Sequence, residues 1–200
     1  FQVDPAKMKI GGLFGPDIDN AKNWGYLKLA DTTTEASQAE VPAWLEALFP
    51  YTEQPDEFTN RLQRTEASPL DVDGKPGGQI TCNFIYPEID GKIMTGTVNF
   101  FLPPILNEQP GIRVPLLHVA GYEIDANGVM AYLKEGIAVS TVHAHTLNPL
   151  SRGPKLEWAL LLAERRLPFV DDAQVFIQGG SAGGYMTLML TAETFPVVCA

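Results

Sequence analysis

The residues best suited to chemistry are Gln178-Gly179-Gly180-Ser181-Ala182-Gly183-Gly184-Tyr185-Met186. Gly179, Ser181 and Gly183 form a Gly-x-Ser-x-Gly pattern. A serine hydroxyl is a weak nucleophile until its surroundings activate it. This spacing predicts one such setting, a strand that turns into a helix within a few residues, with Ser181 at the apex in a strained backbone conformation. Glycine at 179 and 183 removes the Cβ atoms that would hold strand and helix apart. The hydroxyl then stands at a helix N-terminus, whose free N–H groups favour developing negative charge. The N–H of Ala182 points to where an oxyanion would form. The chemistry such a bend serves is acyl transfer from an ester or an amide. A glycine-rich turn that only packs, or that binds phosphate, is the competing reading. The loop holds no Lys, which speaks against a Walker-type phosphate site.

The flanking pattern must put that serine at the end of a buried strand. Ala173 to Gln178 reads as a strand and Ser181 to Ala192 as a helix, with Tyr185, Met186, Met189 and Leu190 expected to face inward. Upstream, Val114 to Val119 and Ile137 to Val142 are apolar strand runs. The helix Ala126 to Glu135 lies between them and stops at Gly136. Lys155 to Leu167 is a helix with Leu156, Leu160, Ala163 and Leu167 on one stripe. Further upstream, Ile80 to Ile89 and Lys92 to Leu102 flank Asp90-Gly91, a two-residue turn signal, so this pair is antiparallel. Val197 to Ala200 opens a last apolar strand. Alternating strands and helices with apolar strands mean a parallel sheet covered on both faces. The antiparallel hairpin makes it a mixed, mostly parallel α/β sheet. Before residue 80, a short helix fits Pro42 to Phe49. Residues 1–40 are irregular in pattern, and residues 51–78 are polar and turn-rich, with Asp73-Gly74 and Pro76-Gly77-Gly78 as breakers.

Residues 80–200 resemble the first half of an α/β-hydrolase catalytic domain. Gly180-Ser181-Ala182-Gly183-Gly184-Tyr185-Met186, with Pro168-Phe169-Val170-Asp171 upstream, is similar to the prolyl oligopeptidase family and its esterase-like relatives. The resemblance implies an α/β-hydrolase fold, incomplete in this chain, and a serine hydrolase with Ser181 on a nucleophile elbow. No cofactor and no metal are expected. Residues 1–79 are an N-terminal extension that the resemblance does not explain. They are too short and too poor in repeated strands for a β-propeller. The family places a second oxyanion-hole donor after the strand ending at His118-Val119-Ala120-Gly121-Tyr122. Three candidates stand there, the N–H of Gly121, the N–H of Tyr122 and the Tyr122 hydroxyl, and Tyr122 is preferred.

The fold's chain order is Ser, then Asp or Glu, then His. No His and no Asp follows Ser181 in the chain. A complementary C-terminal segment carrying the Asp and the His is therefore the expected partner, with a small ester or peptide as substrate. Two other functions compete. One is a non-catalytic binding module of the same fold. The other is a metal-dependent hydrolase using His143 and His145, two apart on one strand face, with His118 and Glu123 as further ligands. Asp171 and Asp172 read as turn and cap residues at the far end of the strand from Ser181.

Composition narrows the partners. Fourteen basic against 24 acidic side chains give a net charge of −10, which argues against nucleic acid, since phosphate binding needs Lys and Arg. No apolar run reaches the roughly 18 residues of a membrane span. Cys82 and Cys199 fall on well-separated strands and are not expected to bridge. The chain opens on Phe1 rather than Met, so a secreted or periplasmic protein that has lost its leader is one expectation, and a chain cut to begin here is the other.

Overall fold

A computed structural model describes residues 41–49, 62–89, 92–121, 124–142 and 153–192. The pattern turns first to helix at α1 (Ala43–Leu48), where Pro42 holds the N-cap position without a capping side-chain bond, and Leu45 and Phe49 are buried. The strand β1 (Leu62–Val72) follows and pairs antiparallel with β2 (Lys75–Ile89). Residues 51–78 were expected to be turn-rich, so β1 is a correction, and the sheet begins ahead of residue 80. The expected breaker Asp73-Gly74 is the two-residue turn of this hairpin, with φ of 57° and 80°. Two consecutive positive φ values match the twist of paired strands. The other expected breaker, Pro76-Gly77-Gly78, lies within β2. Leu45 of α1 packs directly over Gly78, in the space a side chain would fill.

The expected hairpin is present, with β2 antiparallel to β3 (Lys92–Leu102). Its turn, Asp90-Gly91, lies outside the described residues. A short helix, α2 (Ile105–Glu108), precedes β4 (Val114–Val119). The helix α3 (Ala126–Lys134) starts at Asp125, whose side chain accepts the Gly128 N–H at 2.9 Å, an ordinary N-cap. Then come β5 (Ala138–Val142), α4 (Gly153–Glu164), β6 (Val170–Gln178) and α5 (Ala182–Ala192). The strand expected over Val197 to Ala200 lies outside the described residues, as does the irregular stretch 1–40.

The six strands form one sheet in the order β1-β2-β3-β5-β4-β6. The pairs β1-β2, β2-β3 and β3-β5 are antiparallel, and β4-β5 and β4-β6 are parallel. The mixed sheet expected from the sequence is there. The added β1 raises its antiparallel share among the described strands.

Each face has its own core. On one face α1, α4 and α5 bring Leu45, Leu160, Leu161, Met186 and Leu190 onto Ile80, Phe100, Leu116 and Ile177. Phe100 packs between Phe49 and Phe169, with ring centroids 5.9 and 6.4 Å away. On the other face α3 brings Val129 and Leu133 onto Phe101, Leu117, Val119 and Val139. Adjacent residues such as Phe100 and Phe101 serve opposite cores, as the period of two in a strand requires.

Candidate active site

The strand β6 ends at Gln178 and α5 begins at Ala182, so strand hands over to helix across Gly179, Gly180 and Ser181. Ser181 has a φ of 52°, a left-handed conformation that non-glycine residues seldom adopt. Its side chain is exposed. Two backbone bonds close the bend. The Gly183 N–H donates to the Gly180 carbonyl at 2.8 Å, and the Tyr185 N–H to the Ser181 carbonyl at 3.2 Å. The Ala182 N–H has no backbone acceptor among the described residues, so it remains an open donor at the start of the helix.

Strand and helix touch where the glycines are. A methyl group at Gly179 would stand 2.4 Å from the carbonyl carbon and oxygen of Gly183 and 2.8 Å from the Thr187 hydroxyl. That hydroxyl donates to the Gly183 carbonyl at 2.9 Å. The inward stripe of α5 is Gly183, Met186, Thr187 and Leu190. Tyr185 and Met189, expected inside, are each 38% exposed, and Leu188 is 70% exposed. This corrects half of the predicted face. The segment is apolar nearly all round, so periodicity did not choose a side.

The end of β4 lies against the same bend. The Ala120 N–H donates to the Gln178 carbonyl at 2.8 Å. Gly121, at φ 77°, approaches so closely that a methyl group there would lie 2.8 Å from the Gly183 Cα. The Gly121 N–H, one of the expected oxyanion donors, is already engaged. It donates to Glu157 Oε1 of α4 at 2.8 Å. Tyr122, the preferred donor, lies outside the described residues. So do Glu123, His143, His145 and Cys199. Cys82 is buried with its thiol free.

Beneath this loop is a polar cluster absent from the sequence reading. His118, Glu157 and Glu164 are each 0% exposed. The His118 Nδ1–H donates to Glu164 Oε2 at 2.8 Å, and the Ser140 Oγ lies 3.1 Å from the same nitrogen. The other ring nitrogen, Nε2, stands 3.9 Å from Glu157 Oε2, beyond hydrogen-bond reach. Burial opposes a charge on His118. The Glu164 carboxylate, joined by Glu157, more than offsets it, and the pKa is pushed up to about 10. Among the described residues no group of three His, Cys, Asp or Glu is placed to hold a metal ion. His118, the one proposed ligand that is described, turns its imidazole to glutamates of α4 instead. The signal for these glutamates lay in α4 itself. Glu157 and Glu164 are seven apart, two helical turns, on one line with Leu160 and Leu161. Asp171 and Asp172 sit at the opposite end of β6 from Ser181. Asp171 accepts the Ala173 N–H at 3.1 Å, and Asp172 pairs with Arg165.

No family model matches the chain, and no curated protein matches it. Solved structures do. A glucuronoyl esterase from Teredinibacter turnerae superposes over 78% of this chain and 49% of its own, at 13% identity and a TM-score of 0.51. The chain carries an α/β-hydrolase fold. An acetyl xylan esterase from Thermoanaerobacterium matches 74% of this chain and 52% of its own, at 18% identity and a TM-score of 0.46. A dipeptidyl peptidase 4 from Porphyromonas gingivalis matches 57% and 19%, at 20% identity and a TM-score of 0.42. The chain spans about half the length of the two esterases and about a fifth of the peptidase. Within the α/β-hydrolase fold, Ser181 stands beyond the carboxyl end of a parallel strand, the edge where open α/β sheets place their sites. No helix among the described residues is long and apolar enough to cross a membrane.

Proposed function

We propose that this chain is the N-terminal portion of a serine hydrolase that cleaves an ester or an amide bond through an acyl-enzyme on Ser181. The observation that carries the reading is the bend itself, an exposed serine at φ 52° between a sheet strand and a helix. A buried, fully satisfied hydroxyl on regular backbone would have argued for packing alone. The N–H of Ala182, which has no backbone acceptor among the described residues, supports the reading, since it could donate to an oxyanion beside Ser181.

In this proposal Ser181 Oγ attacks the substrate carbonyl carbon while a base takes its proton. The tetrahedral oxyanion is held by the Ala182 N–H and by a donor at Tyr122. Collapse breaks the C–O or C–N bond, and the base returns the proton to the leaving group. Water then attacks the acyl-enzyme by the same route and frees the acid. His118 is not the base, because it is buried and bonded to Glu164. The base and its orienting acid are proposed to come from a segment following residue 200, in the chain order of this fold.

The test is covalent labelling of the complete protein by a fluorophosphonate. Wild-type protein should label stoichiometrically, and Ser181→Ala should not label. Labelling that persists in Ser181→Ala would remove the proposal.

A further inference from the structure

The buried glutamates of α4 are unexplained by folding alone. Two carboxylates and an imidazole lie fully out of water. Replacing such a buried charged group by apolar residues is often neutral or stabilising. Among the described residues the Glu157 Oε2, the Glu164 Oε1 and the His118 Nε2 also find no hydrogen-bond partner, which is costly inside a protein. What Glu157 does have is one bond of good length, from the Gly121 N–H at 2.8 Å. Gly121 in turn lies on the first turn of α5, against Gly183, two residues beyond Ser181.

We infer that Glu157 is a positioning residue for the proposed reaction. Its carboxylate oxygen holds the Gly121 peptide, and so holds the end of β4 at a fixed distance from the Ser181 bend. The inference rests on the serine hydrolase reading above and adds to it a residue 24 positions upstream of the nucleophile. Glu157 bonds to the Gly121 N–H and not to Ser181, so its role is positioning. It acts through the Ala120–Gly121 peptide, whose N–H it grips at the point where β4 meets the Ser181 bend. His118 stands behind Glu157 and, through Glu164, ties the same helix to β4. The acceptor and the loop therefore belong to elements that cannot drift apart independently. Displacing a group by about 1 Å in such a site can lower the rate by about 100-fold.

Two conservative variants of the complete protein separate this role from a merely structural one. Glu157→Gln keeps an acceptor oxygen at the same reach and removes the charge. Glu157→Asp keeps the charge and draws the acceptor back by one methylene. With a p-nitrophenyl ester as substrate, positioning predicts that Gln keeps kcat within about 3-fold of wild type. Asp should lose about 10- to 100-fold in kcat, with KM changed less than about 3-fold. The Gly121 amide proton resonance should stay in place in Gln and move upfield in Asp. The opposite ranking, with Asp active and Gln impaired, would overturn the inference, as would an unmoved Gly121 resonance in Asp. An inert wild type whose Gly121 resonance still obeys the Gln–Asp ranking would instead defeat the hydrolase reading, leaving only the loop contact.

Discussion

His118 sits between two carboxylates in a place without water, and its charge follows from that position. Burial alone would strip its proton, but Glu164 holds it, so its pKa is near 10 in the fold and about 6.5 in the unfolded chain. The folded state thus binds the proton more tightly. Its stabilising contribution is complete below about pH 6.5, shrinks above it, and is gone above about pH 10. Urea denaturation of the complete protein should show stability falling across that window, with a slope approaching about 1.4 kcal/mol per pH unit. His118→Asn should flatten the slope, and an equal slope in both proteins would count against the charged imidazole. At this scale the sequence was legible only where chemistry is local. The bend at Ser181 could be read because Gly179 and Gly183 flank it within a few residues. The spacing of Glu157 on α4 was legible but its bond to Gly121 was not, because that partner is 36 residues away and meets it only when α4 packs on the sheet.

The bend between β6 and α5 is a problem of space as much as of dihedral angle. Gly179 has backbone atoms of Gly183 in the place of a side chain, whereas Gly180 has nothing within 4 Å of that place. Gly179→Ala should therefore lower stability by about 1–3 kcal/mol, and Gly180→Ala should change it by less than about 0.5 kcal/mol. Thermal denaturation of the two variants checks the contrast, and equal losses would mean that strand and helix are less closely apposed. Most elements were legible from their periods, since β3, β4, β5, α3 and β6 carry apolar residues at the spacing their structure needs. The strand β1 was hidden by a break in its alternation. A bulge between Arg64 and Glu66 breaks its register, so buried Leu62 and Arg64 are followed by Ala67 rather than by a residue in phase. A reader counting in twos loses the strand there. The exposed side of α5 was hidden differently, by apolar residues on every face.

Among the described residues the sheet separates two cores that share strands but no buried side chain. Val129 belongs to the α3 side and Leu160 to the α4 side. Val129→Ala and Leu160→Ala should each destabilise, by about 1–3 and 2–5 kcal/mol. Their losses should add within about 0.5 kcal/mol in the double variant. A large coupling energy, read from denaturant midpoints, would show that the faces do not act separately. The fold class was legible at this scale because alternating strands and helices admit few architectures. The placement of the polar cluster on the α4 side was not, since it depends on which helix covers which face. Every residue of β5 is buried, as is every residue of β4 but Pro115. Their amide protons therefore have no local route to solvent and should trade for deuterium only when the whole molecule unfolds. Through Ala120 and Gln178, the turn that carries residue 181 is fastened to the strands whose amides should exchange last.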